Sequence, residues 1–277
     1  MPPTHYSAPY NARQQFPWMS CPQLSVSMKF RSLQFLTTGG KDCLVLLVLF
    51  LSELGRRQSQ ELKERAILNL GTNEIPEVVF GTEMKNIPAV YVCPTDQFPA
   101  LEEFVMNSAK TYGLSLTKFT IESSNKTPRV VFEDYLAQKS DIRAILVGTR
   151  RADPNAKSLS HFNKTDKGWP DFVRIHPVID WSYTEIWAFI RHLGLEYCSL
   201  YNEGYASLGG TTDTQPNPKL LKKQSISPEV KDMTGSMVES EHYCQGNCHP
   251  AYELMDERNE RLGRKCPIEK KKRWINH

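Results

Sequence analysis

The sequence lacks a long hydrophobic run and an excess of one charge. Its longest apolar stretch, CLVLLVLFL at residues 43–51, is less than half of the roughly 20 residues that a membrane-spanning helix needs. Lys and Arg total 34 and Asp and Glu total 31, a near balance that argues against a protein that wraps nucleic acid. These features predict no membrane partner, no nucleic-acid partner and no obligatory protein partner.

The cysteines also lack the pattern of a disulfide framework. Seven are scattered through the 277 residues, an odd number, and no apolar signal segment precedes them. The pattern predicts a reducing compartment and a cytoplasmic location. Cys244 and Cys248, near His242 and His249, have a loose spacing and no second cysteine pair, so the sequence does not predict a zinc site.

What the sequence does have is a repeated order of apolar strand, polar turn and helix. The strand candidates are SLQF, AVYVC, LTKFTIES, AILV and FVRI, and helices with Thr127 and Ser182 as caps follow two of them. This order predicts an α/β fold with a mostly parallel sheet and flanking helices, in which ligands bind at the carboxyl ends of the strands.

Composition divides the chain into three predicted parts of one domain. Residues 1–30, rich in Pro, Ser and Gln, predict a disordered lead. Residues 31–200 contain the strand and helix pattern and predict the nucleotide-binding core. Residues 201–277, poor in strand signals, predict an irregular C-terminal wrap that carries a substrate loop and the tail.

The stretch TTGGKDC at the end of the first strand predicts an anion site. Gly39 and Gly40 allow the backbone N–H groups to approach a ligand, and the following helix directs its positive end to the same place. Lys41 would neutralise phosphate, and Asp42 would bind magnesium as a hard oxygen ligand. The alternative is a tight turn with a solvated helix start, and the spacing is not that of a Walker P-loop.

Two further clusters extend this pattern. GTRRADP at residues 148–154 places two guanidinium groups and an aspartate after the fourth predicted strand. Asp166, Trp169 and Arg174 then combine a carboxylate, a broad aromatic face and a guanidinium, which suits a flat heterocycle. Each cluster taken alone is also compatible with a solvated surface.

Taken together, GGKD, GTRRADP, TDKGWPDFVRIHPVIDWSYTEIW, YASLGGTTDTQPNP and PAYELMDERNERLGR resemble the eukaryotic, fungal-type FMN adenylyltransferases, or FAD synthetases. The match runs in order from about Leu33 to Arg264. The resemblance implies a PAPS reductase-like fold, similar to the adenine nucleotide alpha hydrolases, and transfer of AMP from MgATP to FMN to give FAD and pyrophosphate.

The resemblance also implies residue roles. Asp42 and Asp153 would bind magnesium at the reacting phosphates, and Arg150 or Arg151 would neutralise charge there. Trp169 would lie against the isoalloxazine ring, which Asp166 and Arg174 would orient. ATP would contact Thr38, Gly39, Gly40, Lys41 and Asp42, while Arg261 and Arg264 would close on flavin or phosphate from the tail.

One position departs from the family pattern. Members typically have asparagine before the two glycines, and this chain has Thr38, which keeps a hydroxyl but loses the reach of the amide. Two alternatives therefore stay open: a non-catalytic paralogue that binds flavin nucleotide, and another ATP pyrophosphatase or sulfonucleotide enzyme on the same fold. The Glu-Cys-Gly-x-His signature of the sulfonucleotide reductases is absent.

Overall fold

The computed structural model of the chain describes residues 33–68, 86–121, 128–222 and 247–265. The predicted disordered lead, the predicted cap Thr127 and the Cys244 part of the rejected zinc motif lie outside these residues. A six-stranded sheet forms the centre of the fold. Its strands are β1 (Leu33–Thr37), β2 (Ile87–Pro94), β3 (Leu114–Ile121), β4 (Ala144–Leu146), β5 (Phe162–Lys164) and β6 (Val173–Ile175).

The strand order is β3-β2-β1-β4-β6-β5, and every neighbouring pair is parallel except β5 and β6. The predicted mostly parallel α/β sheet is thus confirmed. Strand β5 was not predicted, because its sequence FNK has no alternating apolar pattern and it forms only by antiparallel pairing with β6. β1 lies between β2 and β4, so the carboxyl ends of β1 and β4 meet where the strand order reverses.

Four helices flank the sheet: α1 (Lys41–Leu68), α2 (Pro99–Thr111), α3 (Pro128–Gln138) and α4 (Tyr183–His192). The apolar run that opens α1 is buried on several sides, with Val45 and Leu46 fully enclosed in the core. Among the described residues, no helix is long and apolar enough to cross a membrane. Helix α1 places its first turn directly after β1, as the sequence predicted.

Helix α4 begins as the sequence predicted. The hydroxyl of Ser182 accepts a hydrogen bond from the backbone N–H of Glu185, whose carboxylate accepts one from the backbone N–H of Ser182. This reciprocal cap fixes the start of the helix. Ile186, Trp187 and Ile190 are buried, so this face of the helix packs in the core.

Four short 3-10 helices lie in the described residues after residue 198. They span Ser199–Glu203, Pro218–Leu220, Ala251–Glu253 and Glu257–Gly263. Tyr201, Leu220, Ala251 and Leu254 join the same core cluster as α1 and β1. The described part of the tail therefore packs against the half of the fold that contains β1 and α1, and the division of the chain at residue 200 stays a prediction.

Candidate functional site

The turn between β1 and α1 has the geometry that its two glycines predicted. Gly39 has a φ of +77°, a region that favours glycine, and its N–H donates to Thr37 Oγ1 at 3.1 Å. The backbone N–H of Lys41 donates to the hydroxyl of Tyr201 at 2.9 Å. Thr38, at the position where the family typically has asparagine, is exposed at the mouth of this turn.

The loop after β4 lies directly against the start of α1. A Cβ atom added at Gly148 would lie 3.0 Å from Cys43 Sγ, 3.1 Å from Cys43 N and 3.2 Å from Asp42 C. Glycine allows the two segments to approach this closely, because any side chain would force them apart by a few tenths of an ångström. The contact brings GGKD and GTRRADP, the two clusters that the sequence singled out, together at one edge of the sheet.

Four charged side chains meet at this edge, and we call them the buried quartet: Lys41, Asp42, Arg150 and Glu260. Lys41 Nζ lies 3.1 Å from Asp42 Oδ2 and 2.5 Å from Glu260 Oε1. Arg150 Nε lies 2.7 Å from Asp42 Oδ1, and its Nη2 is paired with Glu260 Oε2. Arg150 has no solvent exposure at all.

The two cations and the two carboxylates of the quartet balance one another. Burial on its own lowers the pKa of Lys41, but the carboxylates of Asp42 and Glu260 outweigh it and raise that pKa above its usual value. The pKa of Arg150 is raised for the same reason, since Asp42 and Glu260 again outweigh the effect of burial. Both cations therefore remain charged, and the quartet carries no net charge.

Asp153 stands beside the quartet with part of its side chain open to solvent. Its Oδ2 accepts a hydrogen bond from the backbone N–H of Arg150 at 2.9 Å, and its Oδ1 lies 4.0 Å from Arg261 Nη1. Burial, and then the nearby charge of Asp42, raise the pKa of this carboxyl above its ordinary value. A carboxylate destabilised in this way is suited to a cation that arrives with a ligand.

Arg151 points elsewhere. Its Nε donates to Asp180 Oδ1 at 2.7 Å, and its Nη1 donates to the carbonyl oxygens of Lys157 and Leu159. In the described structure this guanidinium joins three surface segments, whereas Arg150 faces the carboxylates of the quartet. Of the two arginines predicted to neutralise charge, Arg150 is the one beside the start of α1.

The predicted flavin-binding trio comes together. Arg174 Nη1 lies 3.4 Å from Asp166 Oδ2, and a turn is closed by the backbone hydrogen bond from Trp169 to Asp166. Trp169 is 38% exposed, and its ring centroid lies 6.2 Å from that of the buried Phe132. A partly exposed tryptophan ring that also contacts a buried aromatic ring is available to stack on a planar ligand.

The loop YASLGGTTDTQPNP is fastened at two points. Asp96, which follows β2, accepts hydrogen bonds from the backbone N–H of Thr212 at 3.0 Å and from its hydroxyl at 2.6 Å. Arg264 Nη2 lies 3.1 Å from Asp213 Oδ2. Arg264 therefore holds the loop in the described structure, and it does not join Arg261 at Asp153.

Sequence reasoning missed Glu260, Tyr201, Tyr183 and Asp96. The ring of Tyr183 lies under Lys41 Nζ, with 4.9 Å between the nitrogen and the ring centroid. The sole sequence signal for Glu260 was its position beside Arg261 in ERLGR, and nothing local distinguishes it from the other acidic residues of the tail.

The cysteine and histidine motif near the C-terminus shows no metal geometry where it is described. Cys248 is buried and His249 Nδ1 lies 2.7 Å from Glu253 Oε2. Within residues 33–68, 86–121, 128–222 and 247–265, no group of three or more His, Cys, Asp or Glu side chains is arranged to hold a metal.

Comparison with known proteins identifies the family. Residues 32–216 match the phosphoadenosine phosphosulfate reductase domain. The chain is 36% identical over 252 residues to a probable FAD synthase of Schizosaccharomyces pombe, covering 87% of this chain and 78% of the relative. It is 30% identical over 257 residues to the flavin adenine dinucleotide synthase of Saccharomyces cerevisiae, covering 84% and 81%.

Solved structures agree. The Candida glabrata FMN adenylyltransferase in complex with FMN and the ATP analogue AMPCPP aligns with a TM-score of 0.70 at 26% identity, covering 91% of this chain and 88% of that one. The yeast FAD synthetase in complex with FAD aligns with a TM-score of 0.63 at 30% identity, covering 87% and 84%. The chain belongs to the FAD synthase family and has its PAPS reductase-like fold.

Proposed function

We infer that the protein is an FMN adenylyltransferase, which transfers AMP from ATP to FMN and releases FAD and pyrophosphate. The observation that carries this function is the identity of 30–36% to FAD synthases over more than four fifths of the chain. The described site adds the physical parts that such a reaction needs, namely a glycine turn at a helix start, adjacent carboxylates and an open tryptophan.

The reaction needs no nucleophile from the protein. A phosphate oxygen of FMN attacks the α-phosphorus of ATP, a new P–O bond forms, and the bond between the α-phosphorus and the bridging oxygen breaks as pyrophosphate leaves. Both reactants are anions, so the protein must orient them in line and offset their repulsion. This division of labour explains why the site consists of charged groups and backbone donors.

The nucleotide side of the site falls to the β1–α1 turn. Gly39 and Gly40 would let the backbone and the positive end of α1 approach the phosphates of ATP closely. Arg261, close to Asp153 and 44% exposed, would supply positive charge at the reacting phosphates. Lys41 and Arg150 would act mainly on the carboxylate of Asp42, which both contact.

The flavin side falls to the trio of Asp166, Trp169 and Arg174. The exposed face of Trp169 would stack on the isoalloxazine ring, and the pair formed by Arg174 and Asp166 would hydrogen-bond the polar edge of the ring. Arg264, which holds Asp213 in the described structure, would act on the loop at residues 205–218.

The donor set fits magnesium. The quartet has no net charge, and Asp153 beside it is an additional carboxylate. Among these residues Arg261 is therefore the cation that remains to meet the negative charge of a triphosphate. Two carboxylates, Asp42 and Asp153, would hold the ion together with phosphate oxygens, the arrangement that Mg²⁺ usually has in nucleotide sites. When bound, Mg²⁺ neutralises phosphate charge and polarises the α-phosphate.

The experiment is an assay of the purified chain with FMN, ATP and MgCl₂, following FAD by chromatography and pyrophosphate by a coupled enzyme. We expect both products in equal amounts, and neither after chelation with EDTA. Binding of FMN without any FAD would instead identify a non-catalytic paralogue, and the variant Thr38→Asn then tests whether Thr38 is the cause. A cytoplasmic location stays a prediction of the cysteine pattern.

A further inference from the structure

Glu260 enters the nucleotide site from a distant part of the chain. It lies in the 3-10 helix Glu257–Gly263 and is 6% exposed, yet its carboxylate contacts a side chain at the start of α1, 219 positions earlier. One oxygen faces Lys41 Nζ at 2.5 Å and the other is paired with Arg150 Nη2. Its side chain is only 8% exposed, whereas that of Asp42 is 18% exposed, so Asp42 is the more accessible of the two carboxylates.

The two cations that contact Glu260 also form ion pairs with Asp42. Lys41 Nζ also lies 3.1 Å from Asp42 Oδ2, and Arg150 Nε lies 2.7 Å from Asp42 Oδ1. Asp42 is thus held by both of its oxygens, and each holder is in turn held by Glu260. Resting on the proposed function, we propose that Glu260 is a positioning residue that orients the carboxylate of Asp42 for the metal-nucleotide through Lys41 and Arg150.

The backbone of Glu260 is fixed independently of its side chain. Asn217, which is fully buried, donates from Nδ2 to the carbonyl oxygen of Asn259 at 2.7 Å and approaches that of Glu260 at 3.3 Å. Its backbone N–H donates to the carbonyl oxygen of Gly204 at 2.8 Å. The carboxylate of Glu260 is therefore presented from a prearranged position, so the tail need not depend on this carboxylate to be held.

Stability alone is a weak explanation for this arrangement. Buried ion pairs lose on desolvation much of what they gain by attraction, whereas removal of one partner leaves an uncompensated charge. Groups that orient metal ligands typically change metal affinity or activity by about 10- to 100-fold when they are altered. Glu260 contacts both cations that contact Asp42, so its position is that of a group that orients a metal ligand.

The test compares Glu260→Gln, which keeps the shape and removes the charge, with Glu260→Asp, which keeps the charge on a shorter side chain. Glu103→Gln, on the exposed face of α2, is the matched surface control. We expect Glu260→Gln to lower kcat by about 10- to 100-fold and to raise the Mg²⁺ concentration for half-maximal FAD formation by a similar factor. Glu260→Asp should lie between Glu260→Gln and wild type.

Two measurements separate positioning from loosening of the tail. Binding of Mn²⁺ in the presence of AMPCPP, followed by electron paramagnetic resonance, should weaken by the same factor in Glu260→Gln. FMN affinity without nucleotide, followed by flavin fluorescence, should stay within about twofold of wild type. A Glu260→Gln protein with unchanged metal dependence and weakened FMN binding would overturn the proposal and assign Glu260 to tail packing alone.

The two proposals fail in different ways. If wild-type protein forms no FAD, the proposed function is wrong, but the Mn²⁺ measurement still decides the role of Glu260. If Glu260→Gln melts far below wild type, the Lys41→Met, Glu260→Gln double variant, in which the missing charges match, is compared with Lys41→Met alone. Because Glu260 acts on Asp42 partly through Lys41, adding Glu260→Gln to Lys41→Met should weaken Mn²⁺ binding by clearly less than the roughly 10- to 100-fold expected in the wild-type background, and a further loss of that full size would refute the proposed chain of contacts.

Discussion

Replacing Gly148 by alanine would test the close approach of the two phosphate-side segments. The added Cβ would meet Cys43 Sγ, Cys43 N and Asp42 C at 3.0–3.2 Å, so these neighbours must retreat by a few tenths of an ångström. Two of the three atoms are backbone at the start of α1, and the third belongs to a buried side chain. None of these atoms is at the end of a flexible side chain, so none of them can move aside easily.

Two effects follow from that displacement. Overpacking of this kind usually lowers the free energy of unfolding by about 1–3 kcal/mol. The turn that carries Asp42 moves away from Asp153, and because misplacement of about 1 Å can cost about 100-fold in rate, we expect a loss of about tenfold in kcat. Both changes should appear in the same variant.

Gly55→Ala provides the matched control. Gly55 lies inside α1, and a Cβ there would meet nothing within 4 Å. Alanine in a helix interior is favoured over glycine by about 0.5–1 kcal/mol, so this variant should be more stable than wild type with unchanged kcat. Urea unfolding and FAD formation measure both quantities, and a Gly148→Ala protein with wild-type stability and rate would refute the close approach.

Three further predictions concern single side chains. Trp169→Ala should weaken FMN binding by about 1–2 kcal/mol, or about 5- to 30-fold in Kd by flavin fluorescence, whereas an unchanged Kd would exclude stacking on this ring. Asp153→Asn keeps the acceptor for the N–H of Arg150 but loses the charge, so turnover should fall at least about 100-fold with FMN affinity retained; full activity would contradict a metal role. Burial, Arg174 and His161 lower the pKa of His176 to about 4, so stability should be lost as the pH falls from about 6.5 to 4, by at most about 3 kcal/mol. His176→Leu should remove most of that acid sensitivity in unfolding experiments, and an identical pH profile would show that His176 does not titrate in this way.

The fold was predictable where local pattern and packing agree. An apolar strand followed by two glycines and an apolar run fixed β1 and the start of α1, and Ser182 with Glu185 marked the start of α4. Prediction failed for β5, whose three residues have no pattern of their own and pair only because β6 is beside them.

The sequence indicated which segments form the site, but it did not indicate which side chains in those segments contact one another. Charges in GGKD and GTRRADP indicated anion chemistry, but no spacing rule says that Arg150 turns inward and Arg151 turns to Asp180. Which way a side chain points depends on tertiary neighbours, because a buried cation must find a carboxylate. Glu260 could not be found locally, since its partners are far away in sequence.

The separation of 219 positions between Glu260 and Lys41 has a consequence for synthesis of the protein. Folding on the ribosome proceeds from the N-terminal side, and the strands β1 to β6 can pair before residue 260 has been made. Until then Lys41 and Arg150 lack Glu260 and have Asp42 as their shared ion-pair partner. Nascent chains that stop before the tail would therefore pair their sheet yet leave two buried cations with one carboxylate between them at its edge.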